Sequence, residues 1–284
     1  MAERSRKSGG RLNGRGHDLS YERGMHSQDR RKQPGQAAPS VRPAAAREEA
    51  SVRINKYIAS TGFCSRRRAD ELIAEGRVTI DGRTATAGDR VDKETVCIDG
   101  QSVTAEERLV TLMLNKPVQV VSTARDPQGR TTVLEYVPER YRSLRLYPVG
   151  RLDYFSEGLL LLTNDGALAQ RLTHPSHNQK KVYHVLVRGS VPQNVLAVLR
   201  GGMTLKEGDK VAPCSVEACP LKGQTELTFE LHQGLNRQIR RMCRDTGLTV
   251  LRLKRVAEGP LQLGHLAPGE VRELSPKEVA ALRR

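Results

Sequence analysis

The chain has 284 residues, room for two modest domains and a tail, and only 37% of them are hydrophobic, with no Trp and three Phe, so its core must be aliphatic and small for the chain. Its net charge of +15, from 47 Lys and Arg against 32 Asp and Glu, points to a polyanionic partner. Nucleic acid fits better than a membrane, because no amphipathic stretch carries aromatic anchors and no apolar run reaches transmembrane length. The five cysteines, Cys64, Cys97, Cys214, Cys219 and Cys243, are odd in number and irregularly spaced. They make no disulfide framework, complete no zinc set, and fit a reducing cytoplasm. No apolar segment follows the Met1-Ala2-Glu3-Arg4 start, so a secretory signal is not expected.

Residues 1–50 carry eleven Lys and Arg against six Asp and Glu and no apolar periodicity. Such a segment cannot bury enough surface to offset its ordering entropy, and a disordered basic leader is expected. It is either a solvated tail or an arm that adds phosphate contacts. Ala44–Ala50 allow a frayed helical turn.

Residues 51–108 are expected to form a compact basic module. Ile54, Tyr57 and Ile58 fall at helical spacing before Gly62. Ser65 suits a helix N-cap, Ala69, Leu72 and Ile73 make the following stripe, and Gly76 ends it. Val78-Thr79-Ile80, the turn Asp81-Gly82 and a further short extended stretch, then Val91, Val96 and Ile98 leading to a second turn Asp99-Gly100, read as a small hairpin sheet. Arg66, Arg67 and Arg68 share one edge with Lys56 and Arg77, a set suited to phosphate contacts.

Residues 109–284 read as a larger domain rich in strands. Leu109–Leu114 is a buried strand, Asn115-Lys116-Pro117 breaks it, and Val118–Ser122 is expected to resume as a second strand. Val133, Leu134 and Val137 suggest a short helix. Leu159–Leu162 is a buried strand stopped by Asn164-Asp165-Gly166, and Ala167–Leu172 a helix. Lys181–Val187 alternates as a strand, and Pro192–Arg200 reads as a helix. Val211–Ala218 and Thr225–His232 are strands; Gly234-Leu235-Asn236 caps the basic helix Arg237–Arg244. Val250–Leu253 and Leu261–Leu263 follow as strands, and Pro276 opens a terminal helix. Many strands, scattered helices and frequent hairpin turns predict an α+β fold with a mostly antiparallel sheet.

Asp153 is the candidate reactive residue. A lone Asp in such a loop is more often a turn cap or a surface partner for Arg151. Here it sits between Gly150-Arg151 and a buried strand, and a carboxylate held by packing and a guanidinium can act as a covalent nucleophile. Glu157, four residues on, invites a paired-carboxylate glycosidase reading, disfavoured by a basic surface without Trp. Ser156 has no nucleophile-elbow setting, and His174, His177, His184 and His232 show no triad context.

The segments Arg53–Ile58, Cys64–Ile73, Gly76-Arg77-Val78 and Asp81-Gly82 resemble the RNA-binding module of small-subunit ribosomal protein S-four. The run Gly150-Arg151-Leu152-Asp153, Ser156-Glu157-Gly158, Leu159–Leu162, Thr163–Gly166 resembles the signature of the RsuA-type RNA pseudouridine synthases. Asn115-Lys116-Pro117, Lys181-x-Tyr183-x-Val185 and Gly234-x-Asn236–Met242 agree with that family in order and spacing. The resemblance spans residue 52 to the C-terminus. It implies a pseudouridine synthase domain joined to the S-four-like domain, and an isomerisation of uridine to pseudouridine that needs neither metal nor organic cofactor. It gives Asp153 as the nucleophile, Tyr183 as the residue stacking on the uracil and assisting proton removal from C5, and Arg240 as the partner of Asp153. Ile239 would pack beneath the base and Arg151 would hold the flipped-out nucleotide. A base inside a duplex must in any case be extruded onto an apolar or aromatic face before chemistry. Lys56, Arg66, Arg67, Arg68, Arg77, Lys116, Asn236, Arg237, Gln238 and Arg241 complete the expected RNA contacts.

Two stretches depart from the family pattern: Gln233-Gly234-Leu235 before the Asn236-Arg237-Gln238 run, and Lys254–Pro260 after the basic helix. Both are expected to lie away from Asp153 and to bear on RNA specificity more than on chemistry. The expected substrate is ribosomal RNA or a ribosomal assembly intermediate, met in the cytoplasm by a monomer with no membrane contact. The Leu-rich signature and the basic leader favour 23S RNA. The alternatives are a 16S target, or an RNA-binding ribosome-assembly factor of the same fold whose catalysis is dispensable.

Overall fold

The computed structural model describes residues 51–104, 108–174, 176 and 179–284. The expected leader, with its Ala44–Ala50 turn, lies outside them. Helices α1 (Ile54–Ser60) and α2 (Arg66–Ala74) bury Ile54 and Ile58, and Ala69, Leu72 and Ile73, respectively. Ser65 caps α2 as expected, its hydroxyl accepting from the Arg68 amide at 3.1 Å. The strands β1 (Val78–Ile80), β2 (Arg83–Thr84), β3 (Val96–Ile98) and β4 (Gln101–Ser102) form an antiparallel sheet in the order β2-β1-β3-β4. Asp81-Gly82 and Asp99-Gly100 have positive φ at both positions, 47° and 84°, then 50° and 78°, the tight hairpin geometry that this residue pair favours. Helices and sheet close one small core from Ile54 to Val103.

A nine-stranded sheet organises the rest. Its strands are β5 (Thr111–Lys116), β6 (Tyr147–Val149), β7 (Glu157–Thr163), β8 (Lys181–Arg188), β9 (Ser215–Leu221), β10 (Gln224–Leu231), β11 (Val250–Glu258), β12 (Leu261–Gln262) and β13 (Val271–Glu273). The spatial order is β9-β10-β8-β11-β7-β5-β13, with β6 paired to β7 and β12 to β11. Among the described residues, the pairing of β11 with β7 is parallel and every other pairing in this sheet antiparallel. The fold is the expected α+β class with a mixed, mostly antiparallel sheet.

β7 is buried along its whole length, and its four leucines divide between two cores. Leu160 and Leu162 face one cluster with Leu112, Leu114 and Tyr141; Leu159 and Leu161 face another with Leu168 and Leu263. That explains an unbroken apolar run where a half-exposed strand would alternate. The helices α3 (Gly166–Thr173), α4 (Gln193–Gly201), α5 (Gln238–Asp245) and α6 (Pro276–Leu282) cover the sheet. α5 buries Ile239, Met242 and Cys243 against Val185, Leu227 and Phe229, leaving its basic side chains on the other side. Burial pushes the Cys243 thiol up to about 12.

Four expectations change. Val118–Ser122 is not a strand: after Pro117 the chain turns, with Gln119 at φ 62°, and Val121 keeps a single bridge to Thr132. Val211–Ala218 is split, because Lys210–Val211 pairs with Met203–Thr204 and β9 begins beyond Pro213, which lacks an amide hydrogen for a ladder. The basic helix starts one residue late, its N-cap being Arg237 in the left-handed region at φ 49°. The helix over Val133–Tyr136 is a 3-10 turn.

Candidate active site

The loop from Gly150 to Ser156 enters β7 beside the parallel seam. Gly150 takes φ 72°, open to glycine without strain. Five successive carbonyls then find partners. That of Leu152 accepts from Ser122 Oγ at 2.9 Å, and that of Asp153 from the Ser156 amide at 3.0 Å and Lys116 Nζ at 3.2 Å. The Tyr154 carbonyl accepts from the Gln119 amide at 2.7 Å, that of Phe155 from Arg240 Nη2 at 2.7 Å, and that of Ser156 from Lys116 Nζ at 2.8 Å. With its backbone braced at each step, the loop holds the Asp153 side chain at fixed height over the cleft.

One row across the sheet lies directly behind it. Phe229 pairs with Tyr183, Tyr183 with Arg255, Arg255 with Gly158, and Gly158 with Lys116. These five residues span more than one hundred positions of sequence. A Cβ on Gly158 would sit 2.2 Å from the Arg255 carbonyl oxygen, and its φ of 106° is also a glycine conformation. The seam is closed by backbone contact that no other residue allows.

Asp153, Tyr183, Ile239 and Arg240 line one cleft of about 90 Å³, with Arg151, Ser156, Gln233, Gly234, Leu235, Arg237 and Gln238 in its walls. Ile239 is 4% exposed and belongs to the core beneath. The Asp153 carboxylate is 28% exposed, and its nearest ion-pair partner is Arg237, Nη1 to Oδ2 at 3.8 Å. Arg240 was expected in that place. Its guanidinium instead holds the Phe155 carbonyl and lies 3.4 Å from Ser156 Oγ, close enough for the Asp153 charge to act on it. Burial pulls Arg240 below its usual range, with Arg237 adding to the effect and Asp153 opposing it. Tyr183 packs against two cores; burial pushes its phenol up, and the Arg255 guanidinium, in hydrogen-bonding contact, opposes the rise.

Several expected RNA contacts stand elsewhere. Lys116 is fully buried, donating to the carbonyls of Pro117, Asp153 and Ser156; it fixes the loop and cannot reach RNA. Burial drives its amine down to about 8, against the charges of Asp153 and Glu157. Gln238 is buried, its Oε1 accepting from the Leu235 amide at 3.1 Å. Arg241 is tied to Glu207 and Asp209 at 2.9 and 2.6 Å. In the small module Lys56, Arg66 and Arg67 are exposed, whereas Arg68 binds Glu71 and Glu75 and Arg77 binds Glu75 and Asp99. Arg151, Asn236 and Arg237 are exposed at the cleft. Glu157 is paired with Arg252.

The two departing stretches do not lie away from Asp153. Gln233, Gly234 and Leu235 line its cleft, and Arg255 touches Tyr183 while its Nε donates to the Leu159 carbonyl at 2.7 Å. Arg255 also faces Glu258 at 3.2 Å, both 3% exposed. The role of Arg255 was hidden because charged residues on a late strand look solvated; only the register with Tyr183 and Gly158 buries it. No group of three His, Cys, Asp or Glu among the described residues could hold a metal, and no described helix is long and apolar enough to cross a membrane.

Comparison with known proteins places the chain in a family. The family described as RNA pseudouridylate synthase matches residues 110–245, and the S4 domain matches residues 52–97. Ribosomal large subunit pseudouridine synthase B of Bacillus subtilis is 41% identical over 81% of this chain and 95% of its own length. An uncharacterised RNA pseudouridine synthase of Mycobacterium tuberculosis is 39% identical, covering 84% of this chain and 96% of that one. A crystal structure of a pseudouridylate synthase superposes with a TM-score of 0.58 at 28% identity, over 82% of this chain and all of that one. The braced Asp153 loop, the Tyr183 wall and the Ile239 floor thus stand in a chain that belongs to the RNA pseudouridine synthase family.

Proposed function

We propose that this protein isomerises one uridine of ribosomal RNA to pseudouridine, acting as a monomer on 23S RNA in a bacterial cytoplasm. Residues 51–108 form the RNA-binding domain and residues 109–284 the catalytic domain. The observation that carries the reading is the Asp153 carboxylate, fixed by five braced carbonyls at a cleft with an aromatic wall and an apolar floor. The Bacillus subtilis relative, named for the large ribosomal subunit, supports the choice of 23S RNA.

In the reaction the N1–C1′ bond breaks, the uracil turns, and a C5–C1′ bond forms. The proton lost from C5 is balanced by one gained at N1, so nothing is oxidised and no group leaves. Asp153 acts as the nucleophile that lets the base detach. Tyr183 stacks on the extruded uracil and lies where the C5 proton departs, while Ile239 supports the other side. Arg237 lies 3.8 Å from the Asp153 carboxylate, and Arg240 keeps the loop carbonyl of Phe155 in place while adding positive charge. Arg151, exposed at the rim, holds the flipped nucleotide through its phosphate.

Mapping pseudouridines in the ribosomal RNA of cells with and without the gene tests this. One 23S site should vanish on deletion, return with the wild-type gene, and stay absent with Asp153→Asn. Purified Asp153→Asn should lose more than about 10³-fold in rate, on the scale of removing a covalent nucleophile, with its RNA affinity undiminished. An unchanged map overturns the reading, and a lost 16S site would move the substrate to the small subunit.

A further inference from the structure

The side chain of Phe155 is 58% exposed, two residues from Asp153. Single exposed apolar residues are common and ordinarily need no explanation. Three features set this one apart. The chain has no Trp and three Phe, yet only Phe229 serves the core. Phe155 and Phe63, 51% exposed, face solvent, and Phe63 stands just before the exposed Arg66-Arg67 pair of the small module.

The second feature is rigidity. Phe155 does not sit on a slack loop: its carbonyl is held by Arg240 at 2.7 Å and its neighbours' by Gln119 and Lys116 at 2.7 and 2.8 Å. The ring also meets that of Tyr154 edge to face, centroids 5.0 Å apart at 80°, which restricts its rotation. An exposed ring fixed in this way has lost little by waiting in water for a partner, because its ordering entropy is spent in the free protein.

The third is charge. Tyr154, the ring partner of Phe155, lines the groove that adjoins the Asp153 cleft, together with Arg125, Arg151 and Arg237, and with Arg130 held by Asp126. An aromatic pair beside a groove rich in arginine matches a strand with an anionic backbone and flat bases. It matches no acidic or apolar partner as well, and a base has a π-face whatever its sequence.

We propose that Phe155 is a base-stacking contact for an unpaired nucleotide adjacent to the one extruded towards Asp153. The inference rests on RNA being the substrate and adds a contact outside the catalytic cleft. By stacking on a neighbour, Phe155 replaces part of the stacking lost when the target base leaves. It therefore favours target sites in unpaired loops over sites in continuous duplex.

The test is RNA affinity rather than turnover, measured on the full chain with an unmodified in vitro transcript of 23S RNA as probe. Phe155→Ala should weaken binding by about 5- to 100-fold, the span of one base–aromatic stack. Phe155→Leu, which keeps an apolar side chain but no ring, should lose about as much, whereas Phe155→Tyr should bind like wild type. All three should melt with the wild type because the site is exposed. A photocrosslinking phenylalanine analogue at position 155 should attach to a single-stranded nucleotide of the transcript. Wild-type affinity in Phe155→Ala or Phe155→Leu, or a crosslink confined to protein in ribosomal particles, overturns the proposal. Binding with the predicted pattern but without pseudouridine formation upholds Phe155 and refutes the function assigned above.

Discussion

Lys116 has three amine protons and three carbonyl oxygens to receive them, those of Pro117, Asp153 and Ser156. Full donation requires the charged amine, yet burial holds it down to about 8, against about 10.4 for an open lysine. Below about 8 both folded and unfolded chains carry the proton, and the fold bears the whole cost of burying it. Between about 8 and 10.4 the unfolded chain binds more protons, so this group's contribution to stability rises with pH. The loop meanwhile loses one of its three donors. Single-turnover pseudouridylation should therefore fall above about pH 8 without a matching fall in melting temperature. Lys116→Met should cut the rate by about 10²-fold, the scale of misplacing a reacting group by an ångström, and the residual rate should lack that limb. A limb that persists in the variant assigns it to another group. Lys116 also marks the limit of reading residues from sequence. The Asn115-Lys116-Pro117 motif was visible and suggested RNA contact, but a Lys in sequence does not declare that its amine turns inward to satisfy backbone oxygens.

At the scale of elements the decisive feature is the seam between β7 and β11. Two antiparallel halves of the sheet meet there in parallel register, Lys254 against Glu157 and Arg255 against Gly158. The Asp153 loop hangs from that junction, so its position depends on how closely the strands approach. Gly158→Ala puts a Cβ within 2.2 Å of the Arg255 carbonyl oxygen at a φ of 106°. The combined clash and left-handed strain should cost about 3 kcal/mol or more, read as a lower denaturant midpoint with unchanged slope. A midpoint within experimental error of wild type would mean that the strands part easily and the seam does not fix the loop. Most elements near the seam were legible. The Leu159–Leu162 run, the alternation of Lys181–Val187 and the basic helix that became α5 each follow from local pattern. The pairing of strands ninety residues apart leaves no local signature, and without it Arg255 and the Gln233–Leu235 stretch were expected far from Asp153. Arg237 was missed as the Asp153 partner for a related reason. Its approach to the carboxylate goes with a left-handed φ of 49° at the head of α5, which has no local signature, whereas the family resemblance implied Arg240.

Across the whole molecule, charge is divided by task. The arginines of α5 and its surroundings are partly consumed by protein carboxylates: Arg241 and Arg244 hold Glu207, and Arg244 also holds Asp245. In the small module Arg68 and Arg77 are likewise paired, leaving Arg53, Lys56, Arg66 and Arg67 as exposed cations around α1 and α2. The sequence placed this module well because its helices, cap and two Asp-Gly turns are local features. It could not separate paired from unpaired arginines: Asp99 reaches Arg77 from another element, and the i,i+3 spacing of Arg68 and Glu71 permits a pair without requiring one. If the unpaired ones meet phosphates, replacing Arg66 and Arg67 together with Ala releases two fewer counterions on binding. The plot of log affinity for 23S RNA against log salt should then become shallower by about 1.5. Asp153→Asn, which removes no phosphate contact, should keep the wild-type slope. Arg68→Ala should change the slope less than either Arg66→Ala or Arg67→Ala, because its guanidinium is already occupied by Glu71 and Glu75. Equal slopes for all three single variants would show that the carboxylate pairs open on RNA binding, and that the whole arginine edge, rather than its exposed part, grips the substrate.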